Sequence, residues 1–404
     1  MAYAVEPDPT VQTVSSKVST TAAPQRGYLF GPLTDFLYLG GGSLFVLAPL
    51  AILLPVGFFS PHAGALAIIL MLLINQPHFA HSYQMFYRGF RAKAFGPSYG
   101  RALRFRYIFA GLVVPIGLVV FFAISIAIAV HTRSTELLGY AQNLFIFLTG
   151  WHYVKQGYGI LIVDSIQKRL PFSESAKSLL RLNAYACWFL SWLAANYSIS
   201  KLTSGWGIAV TTLAVPAVVS NLVLAIAVIS TVAVLVMLVQ AWRKSLVLPW
   251  NGLIAYLVTL YVWLLFADIN PVVYMLVTSF HSLQYVTVVW RYQLNAADAS
   301  NGKGNPGARS RLAYLIQDSV WRRLGLFVAF GILLGYLSFD GIPRLLDSVV
   351  PYDRSLFGNY LFVFCFWMFL NIHHYYLDNV MWRRGNPDIQ QFLFSKNPPV
   401  VPAR

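Results

Sequence analysis

The chain has 404 residues, of which 57% are hydrophobic and only 11% are charged. Soluble domains carry about 25% charged residues, so this composition excludes an ordinary soluble protein and favours an integral membrane protein. The formal net charge of +15 does not indicate a nucleic-acid partner, because the basic residues lie in short loops between apolar segments, where they set membrane orientation.

The first 27 residues are rich in Ser, Thr, Pro and Ala and contain no apolar stretch. Such a segment buries too little apolar surface to fold by itself. A signal peptide would need a basic start followed by an apolar run. We therefore predict that residues 1–27 form a disordered cytoplasmic tail.

Apolar segments long enough to cross a bilayer recur along the rest of the chain. They predict an all-α fold, a polytopic membrane bundle of about ten transmembrane helices. Eight of these fall within residues 28–294 and two within residues 311–404. The predicted spans are 33–59, 63–87, 107–131, 137–163, 179–199, 212–241, 252–268, 272–290, 324–339 and 357–382.

Loop charges alternate along this series of spans. The basic loop after the second span contains Arg88, Arg91, Lys93, Arg101, Arg104 and Arg106, and basic residues also follow the fourth, sixth, eighth and tenth spans. The opposite loops carry almost no net positive charge. Since Lys and Arg stay on the cytoplasmic side, both termini are predicted to be cytoplasmic, and we expect the protein in the inner membrane of a bacterium. These loops also attract anionic membrane lipids.

The segment 295–310 has the sequence NAADASNGKGNPGARS. Its Gly, Asn and Ser content is typical of a flexible connection. We predict a cytoplasmic linker here, which would separate the first eight spans from a second part that ends in a cytoplasmic C-terminal tail.

Histidines are concentrated at one depth of the predicted bundle. Six of the eight lie in even-numbered spans, and three of them precede an arginine by ten residues. Aromatic residues stand directly before these arginines, a pairing that is typical of the membrane interface. At about 1.5 Å per residue, ten residues place each imidazole roughly 15 Å inside it. The three pairs are His78–Arg88, His281–Arg291 and His373–Arg383, and His152 lies at a similar depth in the fourth span.

Several imidazoles and one nearby carboxylate suit iron, zinc or copper far better than magnesium or calcium. The candidate metal ligands are His78, His81, His152, His281, His373 and His374. His373 and His374 point about 100° apart on a helix, so both would serve only if two ions were bound.

Other polar side chains share these helices. Asp378 is a candidate catalytic residue, which is either a ligand or the group that orients a ligating imidazole. Gln84, Gln156 and Gln284 are candidate partners for the cofactor site. Lys155 is a candidate catalytic residue with three alternative roles, since it would pair with Asp378, stay neutral, or bind an anionic group of the substrate.

A metal site inside the bilayer, surrounded by many tyrosines, is suited to act on a lipophilic substrate. The leading hypothesis is an oxidoreductase in which non-haem iron, with zinc or copper as alternatives, acts on a lipid or isoprenoid. The spacing differs from the HxxxH and HxxHH boxes of membrane desaturases, because the chain has HxxH at His78–His81. Four alternatives remain: a b-type cytochrome with haem, a transporter with a proton relay, a metal-free lipid transferase and a purely structural network.

Overall fold

The computed structural model describes residues 27–53, 60–198, 206–244, 246–264, 271–301, 320–383 and 385–394. Within these residues the protein is helical and contains no β-strand. The described part has ten main helices. They are α1 (32–53), α2 (60–87), α3 (Arg101–Thr132), α4 (Glu136–Gln167), α5 (Glu174–Ser198), α6 (Ala217–Arg243), α7 (Trp250–Trp263), α8 (Pro271–Asn301), α9 (320–349) and α10 (Leu361–Met381).

Five helical stretches in the described residues are long and apolar enough to cross a membrane. They are Pro32–Leu50, Gly64–Tyr87, Arg101–Thr132, Ala217–Arg243 and Trp321–Val349. The chain is therefore a membrane protein built from helices. A helix overlaps each of the ten predicted spans, but α4, α8 and α10 are not among these five, and they carry polar side chains in the interior.

Helices α2, α4, α8 and α10 meet in the interior of the bundle, where α7 is also largely buried. Helix α10 packs against both α2 and α4, and α8 packs against α2. Helices α3, α6 and α9 lie outside them and expose apolar side chains, for example Ile116, Ile229 and Phe330. Such surfaces suit contact with lipid acyl chains.

Two irregular turns shape the helices near the interior. In α1, Gly40 has φ of 142°, a conformation that favours glycine. The resulting kink lets the Leu39 carbonyl accept a hydrogen bond from Gln284 of α8. In α2, a π-helical turn over Met71–Asn75 precedes the segment Gln76–Tyr87, which has a proline near its start.

The structure differs from the predicted linker 295–310 in its first part. Helix α8 continues to Asn301, so residues 295–301 are helical. Three of these seven residues are alanine, the best helix former, which helps the helix to extend beyond the predicted span. Residues 302–310 and the predicted tail, apart from Gly27, lie outside the described residues.

The contact between α4 and α7 predicts a stability effect. A Cβ at Gly252 would lie 2.8 Å from the Leu161 Cα and 2.9 Å from the Asp164 Cβ, whereas a Cβ at Gly159 of α4 meets nothing within 4 Å. We expect Gly252→Ala to destabilise the protein by roughly 1–3 kcal/mol through overpacking. Gly159→Ala should stabilise it by about 0.5–1 kcal/mol. Thermal unfolding in mild detergent measures both, and equal shifts would contradict the close packing.

Candidate metal centre

Four imidazoles, one each from α2, α4, α8 and α10, meet inside the bundle. The ring centroid of His374 is 4.8 Å from that of His78 and 4.9 Å from that of His152. His281 completes the group, with its centroid 4.9 Å from that of His152 and 5.9 Å from that of His78. All four residues are at most 6% exposed. The structure thus brings together histidines that lie far apart in the chain.

A carboxylate lies one helical turn beyond this layer. The Asp378 Oδ2 atom is 3.5 Å from the His374 Nε2 and 3.8 Å from the His152 Nε2. The Asp378 Oδ1 atom accepts hydrogen bonds from the Ser82 hydroxyl at 3.0 Å and from the Tyr285 hydroxyl at 3.2 Å. One carboxylate oxygen is therefore fixed by hydroxyl donors, and the other faces the imidazoles.

His78 is held in one tautomer by its own helix. Its Nδ1 atom is hydrogen-bonded to the Asn75 carbonyl and lies 2.8 Å from the Ser282 hydroxyl. Because a carbonyl oxygen only accepts, Nδ1 carries the proton, and the lone pair of His78 stands on Nε2. Hydrogen bonding of the far nitrogen is how proteins commonly orient a metal-ligating imidazole.

Six other ring nitrogens of the layer are buried and have no hydrogen-bond partner in the described part of the chain. They are the Nε2 atoms of His78 and His152 and both ring nitrogens of His281 and His374. Leaving a buried polar group unsatisfied costs about 1–3 kcal/mol. Native proteins seldom accept this several times at one place without a ligand, an ion or water. The residues present therefore fit a bound metal ion.

His152, His374 and Asp378 form the tightest group of donors. Their ligand atoms all lie within 4.8 Å of one another, and all three residues are buried, so this group could hold a metal ion. His78 and His281 complete the ring of imidazoles around it. The donor set is mainly nitrogen with one carboxylate, which favours transition metals and zinc over magnesium and calcium.

Apolar packing lies on both sides of this group along α10. The buried residues Leu361, Phe364, Met368 and Ile372 precede His374, whereas Leu377, Val380 and Met381 follow it. Within the layer, the Tyr153 ring stacks on His281 at 3.9 Å and the Tyr375 ring stacks on His152 at 4.6 Å. The candidate metal centre is thus closely packed and shielded from bulk water.

Two predicted ligands lie elsewhere. His373 is hydrogen-bonded through Nδ1 to the Tyr83 hydroxyl at 2.8 Å and through Nε2 to the Ala110 carbonyl at 2.9 Å. His81 stacks on Phe327 of α9, with the ring centroids 4.4 Å apart. Both side chains point away from the imidazole layer.

Gln156 and Gln284 form hydrogen bonds between helices, whereas Gln84 lies at a helix contact. Gln156 donates to the His281 carbonyl at 2.8 Å and to the Gln284 side chain at 3.0 Å. Gln284 in turn donates to the Leu39 carbonyl. Gln84 lies at the contact between α2 and α9, where a Cβ added to Gly331 would be 3.4 Å from its Nε2.

Lys155 also stands apart from the layer. Its ammonium donates to the Asn379 side chain and lies 4.3 Å from the centre of the Trp151 ring. Among the described residues it forms no ion pair with Asp378. The first of the three predicted roles, a direct pair with Asp378, is therefore absent from this structure.

Sequence reasoning did not single out Ser82 or Tyr285 as carboxylate partners, or Ser282 as a neighbour of His78. The spacing of Ser82 and Tyr285 in the sequence could have identified these two residues. Ser82, Tyr285 and Asp378 each follow a layer histidine by four residues, on α2, α8 and α10. Residues four apart lie on one helix face, so parallel helices that align their histidines also align these positions.

Comparison of the chain with protein-family models, with curated proteins and with solved structures finds no match.

Proposed function

We propose that the protein is an integral membrane metalloenzyme that binds one transition-metal ion through His78, His152, His281, His374 and Asp378. The observation that carries this proposal is the convergence of four buried imidazoles. Six of their ring nitrogens have no hydrogen-bond partner among the described residues. A bound ion would satisfy these nitrogens together. The cost of burying them would then be offset by metal coordination.

Iron without haem is the metal that we favour, with zinc and copper as alternatives for the same donors. The imidazole rings contact one another directly, at centroid distances of 4.8 to 5.9 Å. This contact favours a bare ion over haem, because a porphyrin lies between its two axial imidazoles and would hold them apart. Bound iron would supply redox chemistry with dioxygen.

The proposed substrate is a lipid or isoprenoid-type molecule, and the reaction is an oxidation of it. The site lies inside a helical membrane protein, between apolar clusters, where a lipophilic molecule is more soluble than in water. We further propose ten spans with both termini in the cytoplasm of a bacterial cell, on the strength of the alternating loop charges.

Metal analysis of the purified protein tests the proposal. The full chain, without a polyhistidine tag, would be purified anaerobically in a neutral detergent and examined by elemental mass spectrometry and visible spectroscopy. Stoichiometric iron without a Soret band is the expected result. A Soret band would replace the proposal with a cytochrome. Folded protein that neither contains nor takes up metal would overturn it and leave a proton relay.

The oxidative part of the proposal has its own test. Iron-loaded protein in proteoliposomes should consume dioxygen when lipid or isoprenoid candidates are added. The His374→Ala variant is the matched control, since it removes a ligand while keeping the remaining chain. Stoichiometric zinc in the native protein, with no dioxygen uptake, would contradict an oxidative reaction.

A further inference from the structure

Three cations lie near one another beside the metal centre. They are Lys155 of α4, Arg106 of α3 and Arg383 after α10, and Lys155 is within electrostatic range of the other two. Arg383 is exposed, whereas Lys155 and Arg106 are half-buried. They come from three different helical regions, so it is the fold that brings them together. We call these three residues the basic cluster.

The basic cluster shares a neutral acceptor. The Lys155 ammonium donates to the Asn379 side-chain oxygen. The Arg383 guanidinium lies 3.5 Å from the same oxygen and donates to the Asn379 carbonyl at 2.9 Å. The neutral Asn379 side-chain oxygen thus contacts two cationic groups. A carboxylate at this position would compensate their positive charge far better.

No member of the basic cluster forms an ion pair within the described ranges. Asp378 attracts Lys155 electrostatically, but its oxygens face Ser82, Tyr285 and the imidazoles. Like charges held close together repel each other, most strongly where water is partly excluded. The basic cluster is therefore suited to an anion from outside the chain.

The basic cluster and the metal centre are adjacent along two helices. Lys155 follows His152 by three residues, and Asn379 directly follows Asp378. At about 1.5 Å per residue, three residues correspond to roughly 4.5 Å along α4. An anionic group bound by Lys155 would thus lie close to the candidate ligands, and the chain attached to it could reach them.

We propose that the basic cluster binds the anionic head group of an amphiphilic substrate, a carboxylate or a phosphate, and so places the adjoining hydrocarbon at the metal centre. This inference rests on the proposed function, because it names the substrate class of the same site. Arg383 and Arg106 provide planar forks that match a carboxylate or a phosphate, and Lys155 provides a point charge. The Trp151 ring beside Lys155 offers apolar surface next to the charge.

Binding of a matched series of ligands tests this inference. Radiolabelled oleate, oleyl phosphate and oleyl alcohol share one hydrocarbon chain and differ in the head group. Their affinities for the full protein in a neutral detergent would be measured by equilibrium dialysis. We expect the two anions to bind about tenfold or more tightly than the alcohol, since hydrogen bonds to a charged group are stronger than hydrogen bonds between neutral groups.

Variants connect this preference to the basic cluster. Lys155→Gln and Arg383→Gln should each lose most of the preference for the anions, and Lys155→Arg should retain it. Arg243→Gln is the matched control, because Arg243 is an exposed arginine at the end of α6. If Lys155→Gln does not fold, Arg383→Gln at the exposed position provides the same test.

Two results would overturn the inference. One is equal binding of oleate and oleyl alcohol by the native protein. The other is displacement of oleyl phosphate by inorganic phosphate at similar concentration, which would indicate a free-anion site instead of a head-group site. Metal content is measured on the same samples. Native protein that holds metal but has no head-group preference contradicts this inference alone, whereas a preference without metal contradicts only the proposed metal centre.

Discussion

Replacing His374 by alanine is expected to abolish stoichiometric metal binding, whereas replacing the adjacent His373 should leave it intact. His374 is fully buried, and its ring lies against those of His78 and His152. His373 is occupied by hydrogen bonds to Tyr83 and Ala110. These two adjacent residues thus allow a candidate ligand to be compared with a hydrogen-bonded histidine on the same helix turn.

The measurement is metal content per folded chain, determined by elemental analysis after gel filtration. His152→Ala should behave like His374→Ala. His131→Ala should retain metal, because His131 is exposed at the end of α3. Loss of His373 removes two buried hydrogen bonds, so a lower unfolding temperature is expected for that variant. Equal metal retention in His374→Ala and His131→Ala would refute the ligand assignment.

The double variant Ser82→Ala/Tyr285→Phe is expected to weaken metal binding by roughly 10–100-fold. These two hydroxyls donate to the Asp378 Oδ1 atom and hold its other oxygen toward the imidazoles. Without them the carboxylate can rotate, and a buried acceptor loses its donors. Metal affinity would be measured by competition with a chelator of known affinity.

A matched control exists in a second buried network. Ser230→Ala/Tyr261→Phe removes the same chemical groups from the Asn183 site between α5, α6 and α7. Its effect on stability should be of similar size, while metal affinity should not change. If both double variants weakened metal binding equally, the effect would reflect general destabilisation, and Asp378 would lose its assigned orientation by Ser82 and Tyr285.

The shared level of the four imidazoles along the helix axes follows from the sequence, but the direction in which each ring points around its helix does not. Residues three apart differ by about 60° on one side of a helix, and residues four apart by about 40° on the other. Ser82 therefore shares the face of His78 more closely than His81 does, and the structure turns His81 toward Phe327 of α9. The packing of α9 against α2, which decides this, is not visible in the local pattern.

The same reasoning explains His373 and His374. Their angular separation predicts that only one of them faces a single site, and the structure shows that His374 does. Which of the two histidines faces the site depends on the position of α3, because the Ala110 carbonyl of α3 accepts a hydrogen bond from His373. Lys155 is a similar case, because Asn379, its acceptor, comes from another helix. Long-range packing sets these contacts.

Composition was a poor guide at the end of α8. Gly, Asn and Ser within 295–310 predict a loop, yet the helix continues to Asn301. Helix formation is cooperative, so adding residues to an existing helix costs little even where the local sequence is a weak former. The apolar segments were more informative, because every one of the ten overlaps a helix.

The spread of the donors along the chain has a consequence for biosynthesis. Ser82 and Asp378 are hydrogen-bonded although 296 residues separate them. At about 5–20 residues per second, a ribosome needs roughly 15–60 s to pass from one to the other. During this interval the imidazoles of the early helices lack the partners that α10 supplies. The candidate donor set becomes complete only when α10 has been made, so under the proposed function metal loading would follow the synthesis of nearly the whole chain.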